Sequence, residues 1–215
     1  DAFGMFTPAW ISKQPQSVTS TSQISIWGWG TAILPMLDQG PLYNLLNSNR
    51  WDLHTVLSTT VGRKALTTPI NTFLCPSDNG PGTNNFSSSN VDIATYNHQL
   101  TTNGTDRIAG AKSNYVMVGE SSISLTPPVY FAQFGSATAV GYQNSNIGVR
   151  DITDGTTNTF MVGERAWALN GLTLGAANVF GWCPPTAPYP GTSITEGRSA
   201  TAVIGIPYDG INWTL

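Results

Sequence analysis

Turn-forming residues break this chain into short pieces, and that limits its fold more than any other feature. Its 215 residues include 22 Gly and 14 Pro, with Asn, Ser and Thr crowded between them. Gly enters backbone regions that other residues resist, Pro fixes φ and removes a donor, and Asn and Asp bond their own backbone in turns. Long helices and long strands are excluded. What remains is a series of brief apolar runs: 91–96, 114–119, 129–134, 148–152, 159–162, 179–183 and 203–206. Short strands between turn signals predict a mainly β protein, α+β at most, built as a single β-sandwich or jelly-roll-like domain.

Helical spacing is confined to one region. In residues 29–47 the apolar members are Ile33, Leu34, Met36, Leu37, Leu42, Leu45 and Leu46. Offsets of three and four place them on one face. Gly40-Pro41 interrupts the pattern and divides it into two short helices. Residues 51–66 continue as another, so the short helices fall near 29–60. Residues 70–74 read as a brief strand ending at Cys75-Pro76-Ser77-Asp78. Ahead of all this, residues 1–26 are mostly polar and carry Pro8 and Pro15, which predicts an extended N-terminal arm. Val18, Ile24 and Ile26 alternate along it and suit a strand donated to a neighbouring molecule. The domain organisation expected is this arm followed by one globular β domain, 27–215.

Charged residues make up 10% of the chain and the net charge is −3. An average soluble protein carries about 25%. Such a surface suits partners or sugars that cover it; equally, a turn-rich β protein needs few charges. No basic run supports nucleic-acid binding, and no stretch approaches the roughly 20 apolar residues of a membrane span. The start at Asp1, without Met, reads as a mature or trimmed product. Cys75 and Cys183 permit one disulfide, the alternative being two free thiols. Asn85, Asn103 and Asn212 head Asn-x-Ser/Thr sequons and are the glycosylation candidates. These features point to an extracellular, cell-surface location.

Little in the sequence points to catalysis. No G-x-S-x-G elbow occurs, and His54 and His98 are the two histidines. Glu120 and Glu164 end two echoing segments, Asn114-Tyr-Val-Met-Val-Gly-Glu120 and Asn158-Thr-Phe-Met-Val-Gly-Glu164. Brought close, they would resemble a glycosidase pair; ion pairing with Lys112, Arg150 or Arg165 is the plainer role. Asp151, Asp154 and Asn158 offer oxygen ligands around a Gly, as calcium prefers, but their spacing fits an Asx-type turn better. No other metal and no cofactor is expected. Seven tryptophans, Trp10, Trp27, Trp29, Trp51, Trp167, Trp182 and Trp213, suit core and interface anchors, or sugar stacking if several are exposed on one face.

Several segments together resemble one family. They are Gly28-Trp29-Gly30, Leu34-Pro35-Met36-Leu37-Asp38-Gln39, Leu42-Tyr43-Asn44, Thr68-Pro69-Ile70, Phe73-Leu74-Cys75-Pro76-Ser77-Asp78, Ser113-Asn114-Tyr115, the run from Asp151 to Thr159, and Val162-Gly163-Glu164-Arg165. In this order they are similar to a domain of unknown function expanded in planctomycete-type bacteria. Members of that family usually begin with a prepilin-type cleavage and methylation segment and a long apolar helix. The opening Asp1 to Pro8 resembles the stretch just after that helix. The family often carries a His ten residues before an Asp-Gly; here Asp209-Gly210 is kept and the earlier position is Ser199.

The resemblance implies an exported, pseudopilin-like protein. Joined to the low charge and the extended start, it leads to the expectation of a non-enzymatic structural subunit. Copies would assemble into an extracellular filament through β-domain contacts and the arm, as a homopolymer that can carry covalent glycans. The alternative is a cell-surface carbohydrate-binding module.

Overall fold

A computed structural model of the chain describes residues 4–11, 25–87, 98–103, 105–119, 139–183 and 203–205. The chain is mainly β, α+β at most, as its composition predicts. Its strands are short and gather, among the described residues, into three three-stranded sheets and one hairpin.

The first sheet contains strands β1 (Trp10–Ile11) and β2 (Ile26–Gly28) and, from much later in the chain, β10 (Gly181–Trp182). β2 lies in the middle and pairs antiparallel with both neighbours. All three of its residues are buried, which explains why Ile26-Trp27 is apolar without alternation. Gly181 is required where β10 meets β2. Its φ is +146°, and a Cβ there would lie 2.0 Å from the Ile26 carbonyl oxygen.

This sheet corrects the expected arm. Residues 4–11 belong to the body: the Phe6 N–H donates to the Ile147 carbonyl, the Ala9 N–H to Tyr142, and the Trp29 N–H to the Ala9 carbonyl. Ala9 and Trp10 are buried. Ile26 is a core residue in a central strand, so withdrawing it for exchange would tear the sheet. Val18 and Ile24 lie outside the described residues, as do the strands expected at 91–96 and 129–134.

Helices follow at once. They are α1 (Trp29–Ala32), α2 (Gly40–Leu46), α3 (Leu53–Leu57) and α4 (Thr60–Thr67), with a 3₁₀ turn at Leu34–Leu37. Gly40-Pro41 does not merely interrupt here: it opens α2, because Pro at the first turn has no N–H to lose. Asn47, with φ +44°, ends the helix in the left-handed region. Asp52 caps α3 by accepting the Thr55 N–H at 2.6 Å, and Thr59 caps α4 by accepting the Gly62 N–H at 3.0 Å. Leu46, Leu53, Leu57 and Leu66 turn inward onto the core. Two bonds lock the layer to the first sheet: Trp27 Nε1 donates to the Trp51 carbonyl, and Thr31 Oγ1 to that of Phe180.

The second sheet orders strand β11 (Ile204–Gly205), β5 (Tyr115–Val118) and β6 (Val162–Glu164); β11 runs parallel to β5, and β6 antiparallel. The third orders β3 (Thr83–Asn84), β4 (Gly110–Ser113) and β9 (Ala177–Asn178), all antiparallel. The hairpin joins β7 (Ala168–Leu169) to β8 (Leu172–Thr173) through Asn170-Gly171. Both loop residues have positive φ, which a type I′ turn needs.

Two expected strands are 3₁₀ turns instead: Asn71–Phe73 and Val149–Asp151. In the first, the Phe73 N–H bonds back to Ile70 and the Leu74 N–H to Asn71. In the second, the Asp151 carboxylate accepts the Gly148 N–H and curls the segment. Local closure wins in both.

The contact at Gly181 yields a direct test. Gly181→Ala is expected to lower the unfolding free energy by more than about 1 kcal/mol, since neither backbone conformation nor space admits a methyl. Chemical denaturation followed by tryptophan fluorescence measures it; an unchanged midpoint would mean β10 and β2 are not in this contact.

Candidate functional site

The motif residues converge on a buried polar node between the second and third sheets. Asn114 is its centre. It stands between β4 and β5, fully buried, where the chain leaves one sheet for the other. Its backbone N–H donates to the Phe73 carbonyl at 2.8 Å, and its carbonyl accepts from the Arg165 N–H at 2.6 Å. Its side-chain Oδ1 accepts the Cys75 N–H at 3.0 Å. Its Nδ2 donates to Asp78 Oδ2 at 2.7 Å and to the Arg165 carbonyl at 3.1 Å. Asn alone offers an acceptor and two donors on so short a stem.

Asp78 completes the node. It closes the Cys75-Pro76-Ser77-Asp78 turn, its own N–H donating to the Cys75 carbonyl. Oδ1 accepts the Trp167 N–H at 3.1 Å, and Oδ2 accepts from Lys112 Nζ as well as from Asn114. Lys112 and Asp78 form a buried ion pair, with side chains 2% and 7% exposed. Burial by itself pushes the Asp78 carboxyl up. The Lys112 ammonium, the Asn114 amide and the Trp167 N–H outweigh it and hold the group below its ordinary range. The Lys112 ammonium also lies 6.0 Å from the centre of the Trp167 ring. Gly80 leaves room for that ring, since a Cβ there would sit 2.4 Å from it.

A second node surrounds His98. Its Nδ1–H donates to the Gly175 carbonyl at 2.8 Å, an acceptor it shares with Asn84 Nδ2. Asn178 Nδ2 donates to the His98 carbonyl, and the Phe86 ring packs against the imidazole at 5.1 Å. Burial first, and then the Arg165 charge, push the imidazole down to about 3, against the pull of the Gly175 and Ala176 backbone. His98 is thus neutral and structural. His54 Nε2 contacts the Thr102 carbonyl at 2.8 Å. His98 Nδ1 and His54 Nε2 both face backbone carbonyls, not a carboxylate.

The other expected residues fall as follows. Cys75 and Cys183 are free thiols, not a disulfide. Cys75 Sγ lies 3.0 Å from Ser77 Oγ. Cys183 is enclosed in the core, where burial pushes its thiol up to about 12, helped by the charges of Asp52 and Asp106. The calcium candidates are engaged locally: Asp151 Oδ2 accepts the Gly148 N–H, and Asn158 Nδ2 donates to the Asp154 carbonyl. No group of three or more His, Cys, Asp or Glu able to hold a metal occurs among the described residues.

The echoing segments are antiparallel partners, with Tyr115 opposite Glu164 and Met117 opposite Val162. Glu164 therefore lies at the far end of β5 from Gly119, and Glu120 is outside the described residues. Lys112 pairs with Asp78. Of the six described tryptophans, Trp10, Trp27, Trp29 and Trp182 are buried, Trp167 is half-buried, and Trp51 is exposed beneath Arg50.

Asn85 and Asn103 are exposed; Asn212 is outside the described residues. Asn103 Oδ1 accepts from the Thr105 N–H, the Thr105 hydroxyl and the Asp106 N–H, fixing its loop. Asp106 in turn collects Thr101 Oγ1, Thr102 Oγ1 and two backbone N–H groups. Burial raises that carboxyl, but these donors, Thr101 and Thr102 foremost, hold it well below its usual range.

Sequence reasoning singled out neither the Asp78–Lys112 pair nor Trp167. One signal was present: Lys112 is a lone cation in the otherwise small, uncharged run Gly110-Ala111-Lys112-Ser113.

The chain matches, over residues 1–178, the family described as protein of unknown function DUF1559, and it belongs to that family. No curated protein and no solved structure matches it. Each segment that carried the resemblance and now meets at Asn114 lies within the matched span.

Two consequences are measurable. Asn114→Ala strands the Cys75 N–H and removes a donor from Asp78, so it should cost on the order of 3 kcal/mol. Asn114→Asp should cost more, because it sets a second carboxylate against the first; equal losses would argue against the Asn114–Asp78 contact.

The second consequence concerns acid. The unfolded chain binds a proton at His98 with the ordinary value of 6.5, while the folded one resists until about 3. Stability therefore falls as pH drops below 6.5, by up to about 1.4 kcal/mol per pH unit. The lowered Asp78 and Asp106 carboxyls contribute only below their ordinary 3.8. Urea titrations of wild type and His98→Gln from pH 6.5 to about 4.5 isolate the histidine; identical slopes in the two proteins would refute its buried neutral state.

Proposed function

We propose that this member of the DUF1559 family is a structural subunit of an extracellular filament, pilus-like or a surface fibre, built from copies of itself. The observation that carries the reading is the edge of the second sheet. Among the described residues β6 is an outer strand. Phe160, just before it, is 79% exposed, and Val162 within it is 42% exposed. An edge strand that presents backbone donors and bare apolar side chains is a template for another strand. A head-to-tail contact of that kind, if it does not close into a ring, generates a fibre.

Two further features support the reading. A 10% charged fraction suits a surface that other molecules cover. The motifs resemble those of proteins made with a prepilin-type segment, which supports a location outside the cytoplasm. No helix among the described residues is long and apolar enough to cross a membrane. Exposed Asn85 and Asn103 are the proposed glycan acceptors. The carbohydrate-module reading has less behind it, because stacking on sugars calls for several rings on one face and Trp51 is the one exposed ring among the described tryptophans.

Electron microscopy and light scattering of the protein purified from its native source test this. Polymers are expected, and Phe160→Asp combined with Val162→Lys should reduce them to monomers with an unchanged circular dichroism spectrum. Native material that stays monomeric at every concentration would defeat the proposal. Filaments of normal length from the double variant would remove β6 from the contact.

A further inference from the structure

We infer that Lys112 and Asp78 condense to an intramolecular amide, Nζ to Cγ, which covalently ties β4 to the Cys-Pro-Ser-Asp turn. The pair has the makings of that reaction. Both side chains are almost wholly buried and in direct contact. The nucleophile and the carboxyl are thus held together permanently, which replaces a bimolecular encounter by an intramolecular one. The two carboxyl oxygens are held differently. Oδ1 faces the Trp167 backbone N–H at 3.1 Å, and Oδ2 faces Lys112 Nζ and Asn114 Nδ2. The Trp167 ring lies beside the ammonium, and the missing side chain of Gly80 lets it approach.

The step balances without a co-reactant. A proton passes from the Lys112 ammonium to Asp78 Oδ2 within their hydrogen bond. The neutral amine attacks Cγ, and the Nζ–Cγ bond forms. The carbonyl electron pair moves onto Oδ1, where the Trp167 N–H receives the developing charge as an oxyanion donor does. A second amine proton passes to the Oδ2 hydroxyl. The Cγ–Oδ2 bond breaks, water leaves, and Oδ1 becomes the carbonyl oxygen of the new amide. Nothing is oxidised or reduced. Asn114 and Trp167 are positioning residues here: one holds the leaving oxygen, the other the oxygen that stays. The donors that keep Asp78 ionised oppose the first proton transfer, so the reaction is a slow single turnover that follows folding.

Such a bond would do for this chain what a disulfide does in other exported domains, since Cys75 and Cys183 are not joined. It would close the loop between two positions 34 apart in sequence. It is internal to one molecule, so its test does not depend on whether the protein polymerises.

Mass spectrometry of the intact, folded wild-type protein decides the matter. The expected mass is below that of the linear chain by one water, and the loss should grow with time after refolding. Trypsin should fail to cut after Lys112 and should release residues 65–107 joined to residues 108–150. Lys112→Arg keeps the cation and should show the full linear mass. Asp78→Ala, digested under denaturing conditions, should cut normally after Lys112. A wild-type protein of full linear mass that is cleaved freely after Lys112 would overturn the inference. Loss of one ammonia, with the link mapped between Lys112 and Asn114, would overturn it too.

Discussion

The contact between Asn114 and Asp78 holds the two halves of the β framework in register. Asn114 sits where β4 ends and β5 begins, and those strands belong to different sheets. At such a corner neither sheet supplies a neighbouring strand for the backbone. The Asn114 amide stands in for one. It accepts from Cys75 and donates to Asp78 and Arg165, while its own backbone bonds Phe73 and Arg165. Two segments distant in sequence, residues 73–78 and Arg165, are thereby fixed to one buried residue. Leaving any of its polar groups unpaired would cost more than the bond itself contributes.

That arrangement is a consequence of short strands. Most strands here span two to four residues, so each ladder supplies few backbone bonds and the sheets cannot define their own mutual position. The positioning passes to side chains in enclosed sites: Asn114 and Asp78 in one node, Asn84, His98 and Asn178 in another. Buried ion pairs such as Asp78–Lys112 add little net stability over apolar groups of the same shape, but they penalise every arrangement that separates the partners. In a chain with so many turns, the exclusion of alternatives is the greater need. Glycines serve the same end by close approach, as at Gly181 against Ile26 and Gly30 against the Val179 carbonyl.

Local features were legible in the sequence and distant pairings were not. The helices within residues 29–47 follow from offsets of three and four and from the break at Gly40-Pro41, whereas the caps at Asp52 and Thr59 are seen in the fold alone. The type I′ hairpin had its signal in Asn170-Gly171, although the flanking pairs are too short to stand out as strands. The echo of Asn-x-x-Met-Val-Gly-Glu announced two similar strands. That they lie side by side and antiparallel, which carries Glu164 away from Gly119, is a matter of topology that a motif does not encode. The same holds for Lys112. Its charge in a small, buried run demanded a partner, and carboxylates near in the pattern seemed suited to it, yet the partner is Asp78 in a turn 34 residues earlier. Residues 4–11 misled for a related reason. Pro8 and the polar stretch that follows these residues describe an arm, while the pairing that buries Trp10 comes from β2, Gln143 and Asn144.

Among the described residues, β6 is an outer strand with exposed apolar side chains. Natural sheets blunt their edges with Lys, Pro, bulges or a covering element. This chain has three lysines, Lys13, Lys64 and Lys112; Lys64 belongs to α4 and Lys112 is enclosed beside Asp78. In the segment from Phe160 to Arg165, Glu164 and Arg165 are the charges, both at its end, and Arg165 is engaged with Asn114 through its backbone. The outward positions next to them are Phe160 and Val162. A monomer under selection to stay single would gain by one charge at either position, at almost no cost to its core. In the proposed filament, the apolar side chains at both positions are the surface that another strand covers, and the scarcity of charge elsewhere is consistent with that proposal.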